Sequence, residues 1–168
     1  MKKTRWLLFL SGLIIALVIN SCKKSGPSPI SALFTGGYWE LASVQATYWT
    51  GNTADSTITL DTACTLKQSF TFNANNTCTY TNFDCINQTT AAAQWSLSTN
   101  QVFLMANVVC KDTSAAGSSK PFSYASIQTL GQFSMVLVTG DIQPNYSLTA
   151  KRKTIQYGFI RQKLNGSD

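Results

Sequence analysis

The chain contains no histidine, and charged side chains make up only 12% of its 168 residues. Histidine is the side chain that most readily exchanges a proton near neutral pH, so a general base here would have to be a carboxylate or lysine in an unusual environment. The seven acidic residues are scattered along the chain, mostly in turn-forming sequence where a solvated aspartate is ordinary. We therefore predict no catalytic residues and no enzyme activity.

Motifs for metals, cofactors and nucleic acids are missing as well. The sequence has no C-x-x-C pair, no acidic cluster of the calcium-binding kind and no glycine-rich phosphate loop. After residue 24 its one basic cluster, 151–153, is interpreted as a solvated turn or strand end, with an anion or membrane contact as the alternative. We predict no metal, no cofactor and no nucleic-acid partner.

The longest apolar run is too short to span a membrane. It covers 6–19, about 14 residues where a spanning helix needs about 20, and three cations precede it. The run closes on Ile19-Asn20-Ser21-Cys22, which resembles the lipobox of bacterial lipoproteins. We expect a signal peptide at 1–21 and lipidation, including palmitate, of Cys22. An uncleaved N-terminal anchor helix is the alternative.

A polar segment follows the expected anchor. Residues 22–32 are rich in lysine, serine, glycine and proline, so we interpret them as the lipidated cysteine and a flexible tether. The residue after Cys22 is Lys23 and not the aspartate of inner-membrane retention signals, and this resemblance favours the outer membrane. We expect a cell-envelope protein whose membrane partner is reached through the lipid on Cys22, on its periplasmic or its surface face.

The remaining sequence, 33–164, has the length of one domain and the composition of strands. Without its first 21 residues the chain carries ten Lys and Arg against seven Asp and Glu, a net charge of +3. Short apolar or alternating runs recur between turn residues, which predicts an all-β domain, either a sandwich or a barrel. The predicted strands are 37–48, 64–73, 77–84, 92–98, 101–109, 121–128, 132–139, 145–152 and 155–163. Segments 49–61 and 111–119 are predicted loops, the first with a ragged strand as its alternative.

One hairpin can be tested by its register. If Asn73 to Asn76 form the turn and Phe72 opposes Thr77, then Cys64 falls opposite Cys85. Both cysteines would share the apolar face of this strand pair, within disulfide range at its open end.

The cysteine count agrees with such a bridge. Four cysteines remain after Cys22, an even number for an oxidising compartment, and they allow three pairings. The register favours Cys64–Cys85, which leaves Cys78–Cys110. A metal or redox site is the weaker rival.

The start of the domain resembles the lipocalins. Gly37-x-Trp39 on a first strand resembles the lipocalin signature, and the later elements resemble those of lipocalin-like domains in bacterial lipoproteins. These elements are Cys64 with Phe70-Thr71-Phe72-Asn73, Cys85, Trp95-Ser96-Leu97, Tyr124 to Ile127 with Leu130, and a strand at 133–138. In this pattern Asn76 replaces the turn glycine and can still adopt a left-handed conformation. The resemblance implies a single up-and-down β-barrel of about eight to ten strands. It also implies that Arg161 packs on Trp39.

Such a barrel leaves two functions open. It could hold a small apolar or amphipathic ligand, or it could be packed solid and act as a structural or interaction lipoprotein with an unidentified protein partner. The candidate lining residues, each of which could equally be core, are Trp39, Leu41, Phe70, Phe72, Trp95, Leu97, Phe103, Met105, Phe133, Met135, Leu137, Tyr157 and Phe159. Tyr48 and Trp49 could stack on sugars, meet a partner or cap the barrel mouth.

Overall fold

A computed structural model describes residues 28–163, and this part of the chain is dominated by strands. The predicted signal peptide, Cys22 and the first part of the tether lie outside the described residues. One short helix, α1 (Pro29–Thr35), precedes the strands, and a single 3-10 turn occupies Phe83–Cys85. The strands are β1 (Tyr38–Thr50), β2 (Thr53–Leu60), β3 (Ser69–Phe72), β4 (Thr77–Thr81), β5 (Ala91–Leu97), β6 (Phe103–Ala106), β7 (Cys110–Lys111), β8 (Ser118–Ser119), β9 (Ala125–Leu130), β10 (Ser134–Gly140) and β11 (Lys151–Gln162).

Eight of these strands form a closed antiparallel barrel. Their order is β1, β3, β4, β5, β6, β9, β10 and β11, and β11 pairs back onto β1 along the whole of that strand. Burial alternates along β3 and β4, so every second side chain of these strands faces the barrel interior. The predicted all-β fold and single antiparallel barrel are confirmed.

A ninth strand extends the sheet beyond the barrel. The first residues of β1 pair with β3, whereas Val44–Thr50 pair with β2, and a bulge between Leu41 and Ser43 separates the two parts. We call β2, residues 44–50 of β1 and residues 151–157 of β11 the wing. Among the described strands, β2 has β1 as its one neighbour, so its outer edge is unpaired there.

Two segments near the wing differ from their first assignment. Segment 49–61 is mainly the strand β2, whose pairing with β1 is irregular between Tyr48 and Trp49, so the ragged-strand alternative is the correct one. Cross-strand pairs hold it, such as the Thr47–Thr57 hydroxyl contact of 3.1 Å. The strand predicted at 145–152 is instead a loop up to residue 150, because a turn from Ser147 to Ala150 follows Pro144. In 111–119, predicted as a loop, the two-residue strands β7 and β8 pair at its ends.

The end of the barrel where β1 begins is closed by α1. Ser28 caps the helix by accepting a hydrogen bond from the Ser31 backbone at 3.1 Å, and Pro29 occupies its first turn. Phe34 is fully buried in the barrel and Ile30 packs against the core. Residues 29–32, assigned to the tether from their polarity, are therefore part of a docked helix.

The β3–β4 hairpin differs by one residue from the predicted register. Phe72 lies opposite Cys78 and not opposite Thr77. The Asn73 backbone donates a hydrogen bond to the Thr77 carbonyl at 2.8 Å, so the turn between β3 and β4 includes Thr77 and is one residue longer than predicted. Asn76 adopts the left-handed conformation expected of it, with φ of 63°. The shift turns Cys78 and Tyr80 toward the interior.

The predicted Cys64–Cys85 disulfide is confirmed, with its Cα atoms 5.6 Å apart. The predicted surroundings were wrong, because Cys64 lies in the loop after β2 and Cys85 in the 3-10 turn rather than on paired strands. The predicted register also places Leu66 on the same inner face as Cys64, but Leu66 is exposed. The bridge joins the loops at the end of the barrel opposite α1.

The second predicted bridge is not formed. Cys78 and Cys110 are both buried free thiols. Cys78 faces the barrel interior opposite Phe72, whereas the predicted hairpin register, with Phe72 opposite Thr77, places Cys78 on the outer face. Each thiol therefore behaves as a small apolar core residue.

Candidate binding site at the barrel mouth

Trp39 and Arg161 close the end of the barrel nearest α1. They are paired across β1 and β11, and the Arg161 guanidinium carbon lies 4.5 Å from the Trp39 ring centroid. The indole donates to the Phe34 carbonyl at 3.0 Å, and Arg161 donates to the Leu33 carbonyl. Gly37 allows this close packing, since a Cβ there would lie 2.5 Å from the Gln162 carbonyl oxygen. The contact implied by the lipocalin resemblance is present.

Aromatic rings fill the space above this closed end. Phe72 packs edge-on to Phe34 at 4.9 Å and lies 4.1 Å from Phe70, measured between centroids. Phe122 then stacks on Tyr80 at 5.4 Å and meets Tyr157 at 5.0 Å. These rings are at most 5% exposed and form one continuous cluster along the barrel. The lumen is thus occupied by side chains in the way a protein core is.

Most predicted lining residues belong to this interior. Leu41 and Leu97 are partly buried against it. Fully or almost fully buried are Trp39, Phe70, Phe72, Trp95, Met135, Leu137, Tyr157 and Phe159.

Phe103, Met105 and Phe133 do not line the barrel. In β6 the buried positions are Leu104 and Ala106, so Phe103 and Met105 face outward. Phe103 stacks instead on exposed Tyr124, with centroids 4.6 Å apart. Phe133 lies in the turn before β10 and is 73% exposed.

Three buried aromatic residues were missed by the sequence predictions. Side chains alternate along β4, so Tyr80 faces inward whenever Cys78 does. The correct hairpin register would therefore have predicted that Tyr80 is buried. Phe34 and Phe122 lie in a short helix and a loop, where strand alternation gives no signal. Phe83, which the predicted register places on the inner face, is buried in the 3-10 turn.

The opposite end of the barrel opens into a cleft of about 480 Å³, which we call the mouth cleft. Its floor is formed by the buried side chains Val44, Phe83 and Tyr157. Leu60 and Ile155, both from the wing, form an apolar wall. The cleft is therefore apolar at its base and is shaped by elements from both halves of the chain.

Polar groups surround this apolar base. Three carboxylates and one ammonium line the cleft, together with hydroxyl groups; they are Asp61, Asp84, Asp112, Lys153, Thr113, Ser114, Ser119 and Thr139. Asp84 accepts hydrogen bonds from the backbone and hydroxyl of Thr113 at 2.8 and 2.6 Å. Hydrogen bonds, the largest from Ser114, lower the pKa of Asp112. The cleft therefore carries fixed negative charge next to aromatic surface.

The phenols of Tyr80 and Tyr157 are buried below the cleft. Burial raises the pKa of Tyr157 above its ordinary value, and does the same for Tyr80. The Tyr80 hydroxyl is also a buried group without a hydrogen-bond partner, which is an unusual and costly arrangement.

The two wing aromatics have different surroundings. Trp49 donates from its indole to the Thr154 hydroxyl at 2.9 Å, and Arg152 lies between Trp49 and Tyr146 at 5.5 and 3.6 Å from their centroids. Tyr48 is more exposed and faces Lys153 at 5.5 Å. Trp49 thus stabilises the wing, while Tyr48 remains accessible.

Comparisons with family models, curated proteins and solved structures gave no match for this chain. In residues 28–163, no set of three or more metal-ligating side chains converges on one point. No helix within that same range has the length and apolarity to cross a membrane. The arrangement of the barrel, the wing and the mouth cleft therefore provides the basis for a functional proposal.

Proposed function

We propose that this chain is a lipocalin-like lipoprotein of the cell envelope, anchored through Cys22, that works as a non-catalytic interaction module. The lipobox sequence supports the anchor, and the Trp39–Arg161 contact supports the relation to lipocalins. The filled lumen is the observation that favours an interaction role over a role as a ligand carrier. A carrier needs an enclosed space for its ligand, whereas this interior holds packed aromatic rings from Phe34 to Tyr157.

The wing supplies a surface for such an interaction. The side chains of β2 from Thr53 to Thr59 are exposed, and the outer edge of the strand is unpaired among the described residues. An unpaired strand edge is a template for a further strand, and peptide segments bind many proteins in this way. We assign the partner's contact to this edge, with an extended segment of another envelope protein as the added strand.

The position at which the described chain begins is compatible with this role. The described chain begins at α1, at the closed end, and residue 28 is six residues after Cys22. The wing and the mouth lie at the other end of the barrel. An anchor on Cys22 would hold the closed end near the membrane and direct the wing away from it.

Two experiments test the anchor and the interaction separately. Mass spectrometry of the protein from native membranes should find an acylated N-terminal cysteine, and Cys22→Ser should release the protein into the soluble fraction. An unmodified N-terminus starting at residue 1 would contradict the anchor.

For the interaction, a photo-crosslinking amino acid at Thr57 should give a reproducible adduct with one protein in native envelopes. The same amino acid at Ala92, an exposed position on β5 inside the closed ring, is the matched control. Ile58→Lys adds a charge to the edge strand and should abolish the Thr57 adduct. Equal adducts from both positions, or an adduct unaffected by Ile58→Lys, would refute the assignment.

A further inference from the structure

We propose that the closed end of the barrel is a membrane-contact surface that rests on the phospholipid bilayer and places the Phe133 side chain in its interface. This inference deepens the proposed function and rests on the anchor at Cys22. The surface consists of α1 and the turns 73–76, 98–102 and 131–133, which we call the closed rim. These turns join β3 to β4, β5 to β6 and β9 to β10, and strand pairing brings them to the end of the barrel where β1 begins.

The chain leaves little slack between the proposed anchor and the barrel. Ser28 is six positions after Cys22, and a fully extended chain of that length spans at most about 21 Å. Ser28 is itself held on the closed rim, because it caps α1 and shares a surface groove with Asn76 and Thr99. The helix is fixed in turn by Phe34, which is buried in the barrel. A lipid on Cys22 therefore keeps the closed rim next to the bilayer.

Large apolar side chains are exposed at this same end. Phe133 is 73% exposed in its turn, and Val102 is 44% exposed. Ile160, on the outer face of β11 beside that turn, is 50% exposed. The three residues belong to neighbouring strands or to the turns between them. Apolar side chains of this kind bind the boundary between headgroups and acyl chains, so their exposure at the anchored end favours contact with lipid.

The distribution of acidic residues favours the same orientation. No acidic residue occurs in the four segments of the closed rim, whereas exposed Lys163 follows β11 at its edge. Glu40, the acidic residue closest to the rim along β1, pairs with Lys67 at 3.6 Å. The other acidic residues of the described chain lie in the wing or around the mouth; they are Asp55, Asp61, Asp84, Asp112 and Asp141. An anionic lipid surface repels carboxylates, so it favours a molecule that turns this end away.

The basic cluster at 151–153 lies at the other end of the molecule. Tyr38 is at the closed rim, and Thr50 pairs with Lys151 at the far end of the same strand, about 40 Å away at the rise of a β-strand. A molecule standing on its wing would hold Ser28 about 40 Å from the bilayer, about twice the reach of the segment after Cys22. Lys151 also has a partner within the wing, since it pairs with Asp55 at 3.3 Å. The closed rim is therefore the end that meets the membrane.

The test uses the lipidated protein in vesicles of phosphatidylethanolamine and phosphatidylglycerol, with a photo-crosslinking amino acid in place of Phe133. The matched control carries the same amino acid in place of Leu148, which is 76% exposed in the loop beside Gly51 at the wing tip. Illumination should join phospholipid to position 133 at least about five-fold more than to position 148, measured by mass spectrometry of the adducts. The intact mass of the same preparation shows whether Cys22 is acylated.

A second variant tests the rim from a different position. With the crosslinking amino acid at Val102, Phe133→Asp places a charge where the proposal puts the bilayer interface. The phospholipid adduct from position 102 should then fall about five-fold, because a carboxylate is disfavoured there. Leu148→Asp is the control and should leave this adduct unchanged. Both substituted residues are strongly exposed, so neither variant should shift the urea midpoint.

The outcomes separate this inference from the rest of the proposed function. Equal phospholipid adducts at positions 133 and 148, in a preparation with acylated Cys22, would overturn the inference and leave the anchor intact. An adduct of position 133 with a protein in native envelopes in place of phospholipid would also overturn it, as would a position 102 adduct unaffected by Phe133→Asp. An N-terminus without acyl groups would contradict the anchor and this inference together. The outer edge of β2 takes no part in these contacts, so the crosslinking prediction at Thr57 stands in each case.

Discussion

Phe70 offers the sharpest test of whether the lumen is a packed core. It is fully buried at the centre of the barrel, with the rings of Phe72, Phe122 and Tyr80 at 4.1, 4.9 and 5.2 Å between centroids. Phe70→Ala would leave a cavity beside these three rings. They belong to different elements, so they cannot easily move together to fill it. Truncation of a buried phenylalanine of this kind costs about 3 to 5 kcal/mol of unfolding free energy.

The assay is urea unfolding of the full chain in non-ionic detergent with its disulfide intact. With a slope of about 2 kcal/mol per molar urea, the midpoint should fall by about 2 M. The matched control is Phe133→Ala, which removes the same atoms from a side chain that is 73% exposed. The control should change stability by less than about 0.5 kcal/mol.

A second measurement separates a lost core contact from a general defect. A cavity lined by aromatic rings should bind benzene, so benzene should restore part of the stability of Phe70→Ala and leave the wild-type protein unchanged. If Phe70→Ala costs less than about 1 kcal/mol, the ring does not pack as described and the lumen is loosely filled. That result would refute the reasoning on which the interaction role depends.

Three further predictions concern the closed end and the cysteines. Arg161→Lys keeps the charge but loses the planar group that both stacks and donates, so unfolding free energy should fall by about 1 kcal/mol, measured in urea. Removing the disulfide with Cys64→Ala and Cys85→Ala should cost about 3 kcal/mol for a loop of this length, and an unchanged midpoint would contradict the bridge. Burial raises the pKa of Cys78 to about 11 and of Cys110 to about 12, from an ordinary 9.0, so the folded protein holds thiol protons that the unfolded chain releases. Stability should therefore fall as pH rises above 9.0, and the loss should be smaller in the double alanine variant of Cys78 and Cys110. After denaturation a thiol reagent should label both Cys78 and Cys110, whereas no labelling at these two positions would indicate a second disulfide.

The parts of the fold that sequence predicted best are those with a local signal. Alternation in β3 and β4 and the turn residues between them identify a hairpin, and Gly37 with Trp39 marks the first barrel strand. The contact with Arg161 followed from the family resemblance alone, since the two residues are far apart in the chain. Cys64 and Cys85 pair as expected even though the register behind that expectation was one residue off.

Errors arose where apolar residues do not alternate. Phe103, Leu104 and Met105 are consecutive and all apolar, so their composition cannot say which faces inward, and the pairing of Leu104 with Ala125 decides it. The exposed strand β2 was also hard to recognise from sequence. It is held by its pairing with β1 and buries no face, so its sequence lacks the apolar alternation that identifies a strand.

The mouth cleft could not be predicted from sequence. Asp61, Asp84 and Asp112 lie far apart in the sequence, and each alone is indistinguishable from a solvated aspartate. They meet because the disulfide, the 3-10 turn and the β7–β8 hairpin gather at one end of the barrel. This convergence depends on tertiary structure, and no spacing in the sequence encodes it.

The central claim, that the barrel is filled by its own side chains, is tested most directly by diffraction from crystals pressurised with xenon. Xenon enters apolar cavities that are empty of water. The account predicts no xenon site in the lumen between Trp39 and Tyr157. Ordered xenon in that space, or elongated lipid-like density there before pressurisation, would contradict it.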